Sequence, residues 1–238
     1  MAMTSGTSTA EDRHLWKMGG LLAIVGGFIF MIANMLHPRS PDLEVYEEQI
    51  RTVAASDIWI VDHLAFLLGA ILIILGLYAL GRSISDGPAS TWAQFGSLTA
   101  VISGGVISVL IGLDGIASKF VHDGFVAASA AEEATALRIS EMLEEVDVAI
   151  FSVFILVFFG ITFLFYGLAV ALGSEYPTWL GWTAVVLAAA ALIIGTVQAI
   201  DGLSTITTSV LFVGVASLLN LWIIVIGWYM WRRASQTE

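Results

Sequence analysis

Apolar residues fall in six long blocks, at positions 16–36, 58–80, 92–117, 148–172, 179–200 and 209–231. Each is long enough for the roughly 20 residues that a helix needs to cross a hydrocarbon core. Charged residues lie almost wholly between the blocks. The pattern predicts an all-α membrane protein with one transmembrane domain over residues 16–231. A polar segment 1–15 precedes it and a short tail 232–238 follows. The first block is too long for the apolar region of a cleaved signal peptide, and His37-Pro38-Arg39 closes it.

The blocks repeat in pairs. Trp92 to Asp114 and Trp179 to Asp201 each span 22 residues, within Thr-Trp … Asp-Gly frames, and Trp16 to His37 is a looser copy. Even blocks end alike, in Gly76-Leu77-Tyr78 and Gly227-Trp228-Tyr229. Three like-oriented hairpins follow, a parallel repeat about an axis along the membrane normal. Small residues in the third and fifth blocks predict that these helices pack centrally, because glycine and alanine let backbones approach closely in lipid. The phenylalanines of the fourth block, Phe151 to Phe165, are then expected to face lipid. Segments 42–56 and 127–146 alternate apolar and acidic positions with helical period, which predicts amphipathic helices in the outer loops. Thr91 with Gln94, and Pro177 before Thr178, read as starts of the third and fifth helices.

Composition agrees, with 58% hydrophobic residues and only 12% charged. The charge is uneven. Loops 37–63, 114–147 and 201–208 hold 15 acids and 4 bases, whereas both termini and the two short turns hold 5 of each. By the positive-inside rule both termini are cytoplasmic and the three acidic loops face outward, in a cell inner membrane. An acidic outer face argues against nucleic acid and leaves the bilayer as the principal partner. It suits a small hydrophobic or cationic ligand. A membrane-protein partner or a second copy of the chain is equally compatible with the composition. The chain has no cysteine, so disulfides, iron–sulfur clusters and thiolate metal sites are excluded.

Polar residues gather at the outer ends of the blocks: Asn34 and His37, Asp62 and His63, Asp114, and Gln198 and Asp201. Asp57, Asp62 and Asp147 read as acids at helix starts, where the dipole favours them. Asp114-Gly115 and Asp201-Gly202 read as helix endings, where an acid needs a positive answer from His37, Lys119 or a bound cation. His37, His63, Asp114 and Asp201 form a candidate metal set of nitrogen and oxygen donors, although no HExxH-type spacing is present. The pattern singles out no cofactor, catalytic residue, phosphate loop or nucleophile elbow. Asn220, deepest in the last block, reads as a hydrogen-bond partner for a neighbouring helix.

Gly167-Leu168-Ala169 with Tyr176-Pro177-Thr178-Trp179-Leu180-Gly181-Trp182, and the order of long and short loops, resembles the prokaryotic six-helix integral membrane proteins grouped as a domain of unknown function. The resemblance spans about residues 12–232 and implies the architecture but no activity, so no functional residues carry over. Mitochondrial-type carriers share only the three hairpins, since their Pro-x-acid-x-x-base signature is missing at Asp114 and Asp201. The sequence supports a non-enzymatic binding, accessory or small-solute protein. The alternatives are an intramembrane enzyme or metalloprotein using the outer His/Asp residues, and a transporter with an aqueous path past Asn220.

Overall fold

The computed structural model describes residues 9–85 and 87–236; residues 1–8 and 237–238 of the polar termini, and Asp86 between the second and third apolar blocks, lie outside the described residues. Among the described residues every regular element is helical. Six helices are long and apolar enough to cross a membrane: α1 (Ala10–Leu36), α3 (Trp59–Ser83), α4 (Gly87–Val126), α5 (Glu133–Leu172), α6 (Thr178–Asp201) and α7 (Thr205–Ser235). The short α2 (Tyr46–Ala55) lies in the loop between α1 and α3.

Local chemistry sets the helix ends. A capping box starts α1, with the Thr9 hydroxyl accepting from the Asp12 N–H and the Asp12 carboxylate accepting from the Thr9 N–H. Pro177 is the cap residue of α6. α4 begins four residues before Thr91, at Gly87, with Pro88 in its first turn; Thr91 is therefore inside the helix rather than its cap. Gly202, at φ 81°, ends α6 in a conformation that disfavours side chains, as the Asp-Gly pattern predicts.

Each spanning helix packs on the next in sequence, and α7 closes the ring against α1. Glycines permit that closure. A Cβ on Gly20 would sit 2.5 Å from the Gly227 carbonyl oxygen, and one on Gly26 2.8 Å from that of Gly69. α1 thereby packs backbone to backbone against both α7 and α3. In a ring of sequential neighbours the first, third and fifth spanning helices, α1, α4 and α6, do not converge centrally. The hairpin repeat remains a pattern in the sequence.

The phenylalanines of α5 turn inward, contrary to the sequence expectation. Phe154, Phe158, Phe159 and Phe163 are buried. Phe159 lies across the ring from Phe212 of α7, at 5.2 Å between centroids, and from Phe30 of α1, at 6.4 Å. α5 is more buried than α4 or α6. An even-numbered bundle has a centre to fill, and the bulkiest apolar side chains fill it. The small residues of α4 and α6 do pack closely, but against α5: Gly96 faces the Tyr166 ring and Gly167 meets the Gly181 carbonyl.

The helix ends on the side of the termini are tied together by Arg233. Its guanidinium lies 4.7 Å from the Trp16 ring and 5.7 Å from that of Tyr176, and it donates to the Ser83 carbonyl. Tyr176 shares a hydrogen bond with the Ser83 hydroxyl, and burial pushes its phenol above the usual range.

α4 and α5 extend past the apolar blocks on the other side. There α2 packs against both extensions, burying Ile50 and Val53. Lys119 of α4 donates to the Ala54 carbonyl at the end of α2, and Arg51 of α2 stacks over Phe125. Burial, with the charges of Glu145 and Glu144 adding to it, raises the Tyr46 phenol. Lys119 therefore satisfies α2 and its own neighbour Asp123 rather than Asp114.

Candidate functional site: a cavity with histidine–carboxylate pairs at its mouth

A cavity of about 210 Å³ opens in the half of the ring that faces α2. It is lined by α1, α2, α3, α4, α5 and α7, and reaches Asn220 near the middle of α7. Six phenylalanines, Phe30, Phe66, Phe151, Phe154, Phe159 and Phe212, are among the residues of its wall. The other half of the ring is filled by Leu77, Leu80, Phe163, Tyr166, Ile226 and Met230, all buried.

Two histidine–carboxylate pairs stand at the mouth. His37 ends α1, where Pro38 stops the helix, and its Nδ1 lies 2.9 Å from Asp62 Oδ2 in the first turn of α3. The neighbouring His63 places Nε2 3.0 Å from Asp114 Oδ2 on α4, while its Nδ1 lies 2.7 Å from the Trp59 carbonyl oxygen. The two imidazoles are 5.1 Å apart, and the Trp59 ring lies within 5.0 Å of both.

Asp114 does not end a helix. It sits in a π-helical stretch, Ile111–Ala117, through which α4 continues without a break. Its carbonyl accepts from the Trp59 indole N–H and from the Ser118 hydroxyl. π-Helical turns rearrange the backbone ladder and are frequent where side chains are specially aimed. Gly115 is there for proximity: a Cβ on it would lie 2.5 Å from His63 Cβ, so any larger residue would push α3 away from α4. The helix-ending reading of Asp114-Gly115 is thus corrected, and it is His63, not Lys119 or His37, that stands against the Asp114 carboxylate.

The dipole reading of Asp147 is corrected too. α5 begins at Glu133, so Asp147 is well inside the helix. It lines the cavity beside Asp114 and Glu144, and its Oδ1 is buried with no hydrogen-bond partner. Glu144 accepts from His122 Nε2 at 2.6 Å, with the histidine fully buried. Asn220 donates through Nδ2 to the Gly27 carbonyl of α1, as its sequence reading predicts, which leaves Oδ1 buried and unpaired at the cavity floor.

The structure therefore gathers Asn34, His37, His63 and Asp114 around one cavity, with Asp62 behind them. Asn34 is engaged by Arg39, which donates to its side-chain and backbone oxygens. Gln198 and Asp201 are not part of this group. Gln198 is buried between α5 and α7, donating to Ser152 Oγ and accepting from Thr208 Oγ1. Asp201 is exposed at the end of α6, in a shallow depression beside Leu43, Glu44 and Tyr46. Among the other cavity residues, Trp59, Glu144 and Asp147 lie outside the polar cluster that the sequence singled out. The i,i+3 spacing of Glu144 and Asp147, at the edge of an apolar block, is the signal that marks them.

Six apolar helices around a polar-mouthed cavity define a multi-pass membrane protein. No protein-family profile, curated protein or solved structure matches the chain.

Proposed function

We propose that the protein is a membrane-embedded binding protein whose cavity takes a small organic cation, of the size of a short alkyl- or arylammonium. The observation that carries this reading is the pairing of two unpartnered buried acceptors, Asp147 Oδ1 and Asn220 Oδ1, with a wall of phenylalanine rings. A buried carboxylate oxygen without a donor is costly, and an ammonium N–H answers it. The ring faces attract the rest of the cation, by about 0.5–2 kcal/mol for a well-placed aromatic. The filled inner half supports binding rather than passage.

Calorimetric titration of the full chain in nanodiscs with phenethylammonium, and with neutral 2-phenylethanol at the same concentrations, tests the reading. The ammonium is expected to bind at least tenfold more tightly, and Asp147→Asn to abolish the preference. Equal binding of the two compounds, or a preference that survives Asp147→Asn, overturns it.

A further inference from the structure

We infer that His37, Asp62 and His63, with Asp114 beside them, form a binding site for one divalent transition metal of the zinc class at the cavity mouth. The inference does not depend on whether an organic cation enters the cavity.

Hydrogen-bond chemistry carries it. The Trp59 carbonyl oxygen can only accept, so His63 Nδ1, at 2.7 Å from it, holds a proton. A neutral His63 then turns the lone pair of Nε2 toward Asp114 Oδ2, which is also an acceptor when ionised, at 3.0 Å. Something positive has to stand between them, either a second proton or a metal ion. The arrangement has the form usual for metal-binding histidines, whose far nitrogen donates to a backbone carbonyl and so fixes ring and tautomer.

The spacings suit an ion. Zinc bonds to nitrogen and oxygen are about 2.1 Å, which puts neighbouring ligand atoms about 3.0 Å apart at right angles and about 3.4 Å apart at tetrahedral angles. The two pairs stand at 2.9 and 3.0 Å. One ligand atom each from His37, Asp62 and His63 lies within 4.8 Å of the other two. At a tetrahedral ion the same atoms stand about 3.4 Å apart, so closing them on one ion asks for movements of up to about 1.4 Å, shared among three side chains.

The donor set selects the metal class. Two imidazoles with carboxylates suit zinc or copper, whereas magnesium and calcium prefer oxygen alone. Access is provided, since the His37 and Asp114 side chains keep 25% and 28% of their surface exposed while Asp62 and His63 are held almost buried behind them. Gly115 and the π-helical stretch around Asp114 set the approach of α4 that this geometry needs. Binding exchanges protons for the ion: the N–H protons shared in the His37–Asp62 and His63–Asp114 pairs leave to solvent, and no electron moves.

The test uses the full chain without a histidine tag, stripped with chelator in detergent. Equilibrium dialysis with zinc, read by elemental analysis, is expected to give about one equivalent per chain. Asp62→Asn and His63→Gln should each weaken binding at least tenfold, the scale on which metal-site substitutions act, while His14→Gln and Asp201→Asn leave it unchanged. Copper(II) bound to the His14→Gln chain, whose one other histidine outside the site is the fully buried His122, should show electron-paramagnetic-resonance coupling to imidazole nitrogen, which tests the site even if His63→Gln fails to fold. Wild-type protein that takes up no stoichiometric zinc, or copper without nitrogen coupling, overturns the site. So does equal loss of zinc in Asp201→Asn and Asp62→Asn.

Discussion

His122 on α4 and Glu144 on α5 meet at 2.6 Å, the histidine fully buried and the glutamate nearly so. Glu144 is an acceptor, so Nε2 of His122 carries the proton, and Nδ1 is left buried without a partner. The histidine has one hydrogen bond through which to offset its burial. Glu144→Ala removes it and strands both ring nitrogens. We expect a loss of about 3 kcal/mol in reversible unfolding in detergent, the lower end of what breaking a buried pair costs. The double replacement His122→Leu/Glu144→Leu should be far milder than either single change, because neither buried polar group is then left without its partner. A double variant as unstable as the sum of the two singles would show that packing, not the pair, holds this junction.

Gly227 is expected to be intolerant of any side chain. Its added Cβ would stand 2.8 Å from the Gly20 carbonyl oxygen, and a rigid helix backbone cannot move aside as a side chain can. Gly227→Val should cost more than about 2 kcal/mol, near the top of the usual overpacking range. It should also loosen the contact between α7 and α1 that closes the ring. Gly105, with nothing within 4 Å of its added Cβ, is the control, and Gly105→Ala should be neutral or slightly stabilising. Thermal unfolding of the two variants side by side checks both.

These contacts separate what the sequence discloses from what it hides. Hydropathy marks the six spans because a stretch that crosses lipid must be predominantly apolar whichever helix it packs on. It does not show where helices end, since hydrogen bonding carries α4 and α5 on into polar sequence as far as α2 can pack on them. Asp114-Gly115 and Asp201-Gly202 read alike, yet one glycine admits His63 and the other ends a helix at φ 81°. The difference lies in α3, 51 residues away from Asp114 at His63, and no local pattern contains it. The inward turn of the phenylalanines is likewise a property of the ring, because lipid and a bundle centre accept the same side chains.

Arg233 should not be replaceable by lysine. Its planar guanidinium lies against two aromatic rings while donating to the Ser83 carbonyl. An ammonium can take the hydrogen bond but not the flat contacts. Arg233→Ala is expected to lose about 1–2 kcal/mol, on the scale of a partly desolvated cation–π contact, and Arg233→Lys to recover less than half of that. Arg232, over the exposed Trp228 ring, gives the comparison, and Arg232→Lys should change unfolding little. Full recovery by lysine at position 233 would reduce the contact to charge alone.

The uneven charge predicts which way the ring stands. Loops 37–63, 114–147 and 201–208 hold 15 acids and 4 bases, and the basic residues of the opposite side lie beside helix ends, where retention on the cytoplasmic face acts. Arg233, engaged with Trp16 and Tyr176, and Arg82, in the last turn of α3, lie at the same end of the bundle. The native chain has no cysteine, so single thiols report position without background. Glu48→Cys, on the exposed side of α2, should react with an impermeant maleimide in right-side-out vesicles. Ser174→Cys, exposed in the turn before α6, should react only in inverted ones. The opposite result would put the cavity mouth, and with it the histidine–carboxylate pairs, on the cytoplasmic side. Any ligand would then have to come from within the cell.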